Sequence, residues 1–164
     1  MSVLHTMLRS LLRFESAIAV TAYVIVTSVL MADILSRELF GQAIWGVQKV
    51  AVYGSIIAGL VGLGLATAKG KHIRPKFTDA WLPEHWARIA TRIGDIVACI
   101  TFIVAAWVSI DLVVSSYEYE FLAPVLDWPI WPFQMVLPYT FFSTAFRHGV
   151  FALQPELRPM EEDQ

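Results

Sequence analysis

One cysteine is all the thiol this chain carries. Cys99 sits inside an apolar run, so an intramolecular disulfide, a cysteine-based zinc cage and a CxxC redox pair are all excluded. Charge is also scarce. Asp, Glu, Lys and Arg make up 16% of the 164 residues, with a formal sum of −2 at pH 7, which gives no field to gather nucleic acid, and no nucleic-acid partner is expected. The chain contains no G-x-x-x-x-G-K-[ST] loop and no HExxH or G-x-S-x-G element, which removes nucleotide hydrolysis by that route and the common intramembrane hydrolases. The four histidines, His5, His72, His85 and His148, lie outside the apolar segments or at their rims, whereas a membrane haem needs paired histidines facing each other inside a bundle. The reading is of a chain that is not an enzyme and holds neither metal nor other cofactor.

Apolar residues, by contrast, are abundant: 57% of the chain, with a mean hydropathy of +0.60. A soluble domain of this size could not hide that much apolar surface, so lipid or a large partner must cover it. Four apolar runs, at 14–36, 50–68, 89–114 and 132–153, each come close to the ~20 residues that cross ~30 Å of hydrocarbon at ~1.5 Å per residue. They lack the alternating pattern of a membrane barrel, and a backbone inside lipid must satisfy its own hydrogen bonds, so they are expected to be helices. The first run follows Arg9 and Arg13 as a signal peptide would, but it exceeds the usual apolar core and no A-x-A-like site follows, which reads as a retained helix. The expected fold is an all-α membrane protein, one membrane domain over residues 1–164 with four transmembrane helices.

Direction follows from basic residues. Ten of the twelve Lys and Arg (Arg9, Arg13, Lys69, Lys71, Arg74, Lys76, Arg88, Arg92, Arg147, Arg158) fall on one side of these runs; only Arg37 and Lys49 fall on the other, whose second loop, 115–127, holds Glu118, Glu120 and Asp127. The positive-inside rule places both termini in the cytoplasm. Trp45, Tyr117, Tyr119, Trp128 and Trp131 mark the outer boundary and Trp81 and Trp86 the inner one, as interfacial anchors do.

Between the second and third runs, Ile73, Phe77 and Trp81 recur every four residues while Lys71, Arg74, Lys76 and Asp79 point elsewhere. This stripe predicts a short amphipathic interfacial helix over about 75–82, set between Pro75 and Pro83. Lys71, His72, Ile73, Arg74, Lys76, Phe77, Trp81 and Trp86 are its candidate contacts with membrane lipid. An ordinary basic loop anchored by tryptophans is the alternative.

Ionisable residues gather at the edges. Asp33, Arg37, Lys49 and Asp111 cluster outward, where Asp33 or Asp111 could pair with Lys49; Arg92 and Asp95 are one helical turn apart at the inner boundary, and Glu15 sits at the inner end of the first run, paired or solvated. No carboxylate is placed at the midplane, where an ion relay would need one. The second run carries small residues at helical spacing, Ala51/Ser55/Gly59 on one face and Ala58/Gly62/Ala66 on another, which lets neighbours approach on two sides. Candidate partner or structural contacts are Asp33, Trp45, Lys49, Ser55, Gly59, Gly62, Asp111, Trp128 and Trp131. Pro138, inside the fourth run, is expected to kink it.

These features resemble a known family. AKGKHI (68–73) after the second run, LP-x-x-W-A-R (82–88) closing the connector, FG-x-x-x-W (40–45) before the second run and W-P-x-W (128–131) leading into the fourth are similar to the small membrane subunit, the DctQ type, of TRAP (tripartite ATP-independent periplasmic) transporters. The similarity covers roughly 14–151. The chain departs from it at Val47-Gln48-Lys49, where the family commonly has an acidic residue, at Arg74-Pro75 in place of Val-Asp, and at Tyr139-Thr140, where a glycine is usual. The resemblance implies a non-catalytic scaffold in a bacterial inner membrane. Its implied partners are a large multi-spanning subunit, which would carry sodium and an organic acid anion, and a periplasmic solute-binding protein docking at the outer rim. A redox or cofactor-bearing membrane subunit and a small homo-oligomeric channel or exporter are the rival readings.

Overall fold

The computed structural model describes residues 3–68 and 84–157, and over these it is helical apart from two connecting segments. Helix α1, Val3–Phe40, runs for 38 residues because neither proline nor glycine interrupts it. At ~1.5 Å per residue it is about 57 Å long, nearly twice the hydrocarbon thickness, so it extends past the bilayer. Helix α2, Val47–Ala68, has 22 residues and α3, Glu84–Glu118, has 35. A loop, closed by a β-bridge between Leu122 and Pro129, leads to the short α4, Trp131–Gln134, and then to α5, Val136–Leu153, followed by a 3-10 turn at Pro155–Leu157.

Among the described residues three helices, not four, are long and apolar enough to cross a membrane: α1, α2 and α3. The fourth expected span falls short for a physical reason. Its 18-residue helix α5 contains Thr140, Ser143, Thr144, Arg147 and His148, all buried, so it is a helix whose polar stripe packs against protein rather than an apolar one throughout. It is also preceded by a break. Pro138 has no N–H to offer the Gln134 carbonyl four residues back and crowds it; α4 ends at Gln134, and α5 starts after Met135. The expected kink is therefore an interruption one turn earlier. The interfacial helix expected over 75–82 lies outside the described residues, and the short helix that is present, α4, comes after the third span instead.

Packing follows a seven-residue rhythm. On α1 the inward positions are Glu15, Ala19, Ala22, Val26, Val29 and Asp33; on α2 they are Val47, Ala51, Gly54, Ala58 and Val61; on α3 they include Asp95, Phe102, Ala106, Ser109 and Ser116. Steps alternating three and four are those of helices crossing at a shallow angle. The helices pair as α1 with α2 and α3 with α5, and contacts between α2 and α5 join the two pairs. Small residues let the first pair close up: a Cβ on Gly54 would stand 2.5 Å from Val26 Cγ2. The outer faces stay apolar, with Val24 and Ile34 on α1 and Ile100 and Val104 on α3 exposed.

Candidate functional site

The starts of α1 and α3 and the ends of α2 and α5 meet at one end of the bundle, and there α5 places two ionisable residues side by side. Arg147 and His148 are consecutive, so they project about 100° apart around the helix and reach different neighbours.

Arg147 is 1% exposed and Glu15 on α1 is also 1% exposed. The guanidinium Nη2 donates to Glu15 Oε2 at 2.6 Å, and Nη1 donates to Glu15 Oε1 at 3.3 Å, to the Gly64 carbonyl of α2 at 3.0 Å and to Ser143 Oγ at 3.0 Å. The Ser143 hydroxyl in turn donates to Glu15 Oε1. One planar fork thus ties α1, α2 and α5 together, a geometry that a lysine's point charge could not reproduce. The approach depends on α2 having no side chain there: a Cβ on Gly64 would lie 2.9 Å from Arg147 Nη1 and 3.0 Å from Glu15 Oε2.

His148 turns the other way. Its Nδ1 is 3.0 Å from Asp95 Oδ1 on α3, with both side chains under 10% exposed. The imidazole stacks on Phe102 of the same helix, centroids 5.9 Å apart and planes at 10°, and meets Phe151 edge-on. One turn earlier on α3, Arg92 Nε donates to the Ala152 carbonyl at 2.9 Å, placing a cation at the negative end of α5. Both sides of α5 are therefore fastened by charge.

The opposite end is organised by Asp33 and by rings. Asp33, 4% exposed, accepts from Arg37 Nη2 at 2.6 Å and from the Ile44 backbone N–H at 2.8 Å, holding the turn between α1 and α2. Its ion pair is with Arg37, one turn along the same helix, and not with Lys49; Lys49 and Asp111 are exposed. Tyr53 stacks on Phe133 at 4.9 Å, Phe133 lies parallel to Trp128 at 6.4 Å, and Trp131 meets Tyr117 edge-on at 5.7 Å.

Of the other residues singled out from the sequence, Trp45 is 71% exposed, Ser55 and Gly59 are exposed and Gly62 is half-buried. The Ala51/Ser55/Gly59 face is not one packing seam, since Ala51 turns inward with Ala58 while Ser55 and Gly59 turn out. Lys71, His72, Ile73, Arg74, Lys76, Phe77 and Trp81 lie outside the described residues; of Trp86 only the backbone, at the start of α3, is described. Sequence reasoning missed the pairing of Glu15 with Arg147 and of Asp95 with His148. A signal was present: Thr140, Ser143, Thr144 and Arg147 recur at steps of three and four within an otherwise apolar segment, which is a polar stripe at helical spacing.

Chemically this end is a closed fastening. The carboxylate and guanidinium satisfy each other, and among the described residues no group of three or more His, Cys, Asp or Glu is placed to hold a metal ion. A family model described as tripartite ATP-independent periplasmic transporters, DctQ component, matches residues 26–156. Comparison with curated proteins and with solved structures gives no match.

Proposed function

Because the chain belongs to the DctQ family of tripartite ATP-independent periplasmic transporter components, we propose that it is the fixed membrane frame of a sodium-driven importer of an organic acid anion. It is a multi-pass bacterial inner-membrane protein and a transporter subunit rather than an enzyme. In this reading a large multi-spanning partner binds sodium and substrate and moves, while this chain stays rigid beside it. The observation that carries the reading is the cluster of Glu15, Arg147, Ser143 and Gly64, whose buried charges are spent on each other while joining α1, α2 and α5. Carriers that bind substrate themselves keep interrupted helices and open polar groups at mid-membrane. Here the buried carboxylate of Glu15 and guanidinium of Arg147 are closed on each other, which suits a part that must not flex.

The exposed face of α2 around Ser55 and Gly59 has the small residues that let another helix approach closely and is the proposed seat of the large partner. The rim carrying Trp45 and Tyr119, 71% and 70% exposed, is the proposed landing surface for a periplasmic binding protein, with the start of α1 and the end of α5 facing the cytoplasm as the basic residues require. Pull-down of the tagged chain from its native membrane tests this: a protein of about a dozen spans should co-purify, and liposomes holding this chain alone should take up no organic acid. A monodisperse, partner-free preparation from that membrane, or flux through the chain alone, overturns the reading.

A further inference from the structure

At the end of the bundle away from Glu15 and Arg147 there is a cavity of about 210 Å³, walled by Ile25 of α1, Tyr53 and Ile57 of α2, Leu126 and Trp128 of the loop and Phe133 of α4. No charged side chain lines it. Its α2 wall runs from Val50 to Ile57, about 10 Å along the helix axis at ~1.5 Å per residue, so the cavity lies lengthwise in the bundle. Ile25 and Trp128, each 50% exposed, bring its lining to the surface of the bundle. The ring stack of Tyr53, Phe133 and Trp128 stiffens one wall.

Size and lining select the occupant. A helix, about 10 Å across, is too wide for this space, while a dry apolar cavity of about 150 Å³ takes a benzene-sized guest, so one of this volume takes a run of methylenes. A water-soluble anion would find no donor in the wall. Charge at the mouth supplies the remaining constraint. Of the two basic residues at this end, Arg37 is engaged by Asp33 at 2.6 Å, whereas Lys49 is exposed and stands one helical turn outward of Tyr53 on the same face of α2. Its flexible stem can carry the ammonium to the headgroup layer above the cavity. We propose that this cavity holds one acyl chain of an anionic phospholipid whose phosphate rests against Lys49. The bound lipid completes the wall between α1 and the loop.

Fluorescence quenching tests this on the full chain in vesicles. The component due to Trp128 is isolated as the difference between the chain and its Trp128→Phe variant, and the quenchers are phosphatidylglycerol and phosphatidylcholine with brominated chains. Brominated phosphatidylglycerol should quench Trp128 saturably, at a mole fraction about fivefold lower than phosphatidylcholine does, the factor one lysine near a headgroup provides. Lys49→Gln should abolish that preference, and Ile25→Phe or Ile57→Phe, which fill the cavity from different walls, should each cut the quenching at least about threefold, beyond the scatter expected for ordinary lipid contact. Unchanged quenching in both filled variants, or equal quenching by the two lipids in the unmodified chain, overturns the proposal. So does a Trp128 that brominated chains never reach, because a protein segment then occupies the site.

Discussion

Arg147 is the residue on which most of the interior polar structure depends. Replacing it by alanine leaves the Glu15 carboxylate buried with only Ser143 for company, and breaking a buried pair in this way costs about 3–5 kcal/mol. Arg147→Ala should therefore lower the unfolding midpoint in micelles sharply and reduce the amount of chain found in membranes. The double variant Glu15→Leu with Arg147→Met should regain most of that loss, since an apolar pair of similar volume removes both charges together; if it is as unstable as the single variant, the pair is not the source of the effect. Gly64→Ala sets a methyl group 2.9 Å from Arg147 Nη1 and should cost about 1–3 kcal/mol by overpacking, read from the same unfolding curve. Little of this was legible in the sequence. Glu15 reads equally well as solvated, and Arg147 reads as one more cytoplasmic charge, because their partnership joins positions 132 residues apart that no local pattern connects.

At the scale of helices, α1, α2 and α3 each contain one of the apolar runs, since length and hydropathy are properties of the segment itself. Their ends were less visible: α1 begins at Val3 and reaches Phe40, beyond the run at 14–36, because a helix without breakers continues into water. For α5 the apolar run was found but its environment was not, as hydropathy does not say whether a polar stripe meets lipid or protein. The small residues of α2 show the same limit. Gly54 is the close contact with α1 while Gly59 has nothing within 4 Å, a distinction that spacing alone cannot make. Gly54→Ala should accordingly destabilise the isolated chain by about 1–3 kcal/mol, whereas Gly59→Ala should be neutral or stabilise it by about 0.4–1 kcal/mol. Gly59→Leu separates packing from partnership: thermal unfolding of the chain alone should hardly change, and recovery of the large partner in pull-downs should fall.

For the whole molecule, the bundle puts the first residues of α1 and the last of α5 at the same end, as the contacts of Arg147 with Glu15 and of Arg92 with Ala152 require. A cysteine placed at Glu120 should react with a membrane-impermeant maleimide from the periplasmic side and one at Arg9 only after permeabilisation; the opposite pattern would reverse the proposed orientation. The fastening of α5 also has a meaning in time. A ribosome delivers α1 and its carboxylate well before the helix bearing Arg147, so while α2 and α3 are being made Glu15 waits in a nascent membrane protein without its guanidinium. The arrival of α5 is then what validates the helices made before it, and a chain cut short ahead of α5 keeps a buried carboxylate without its partner.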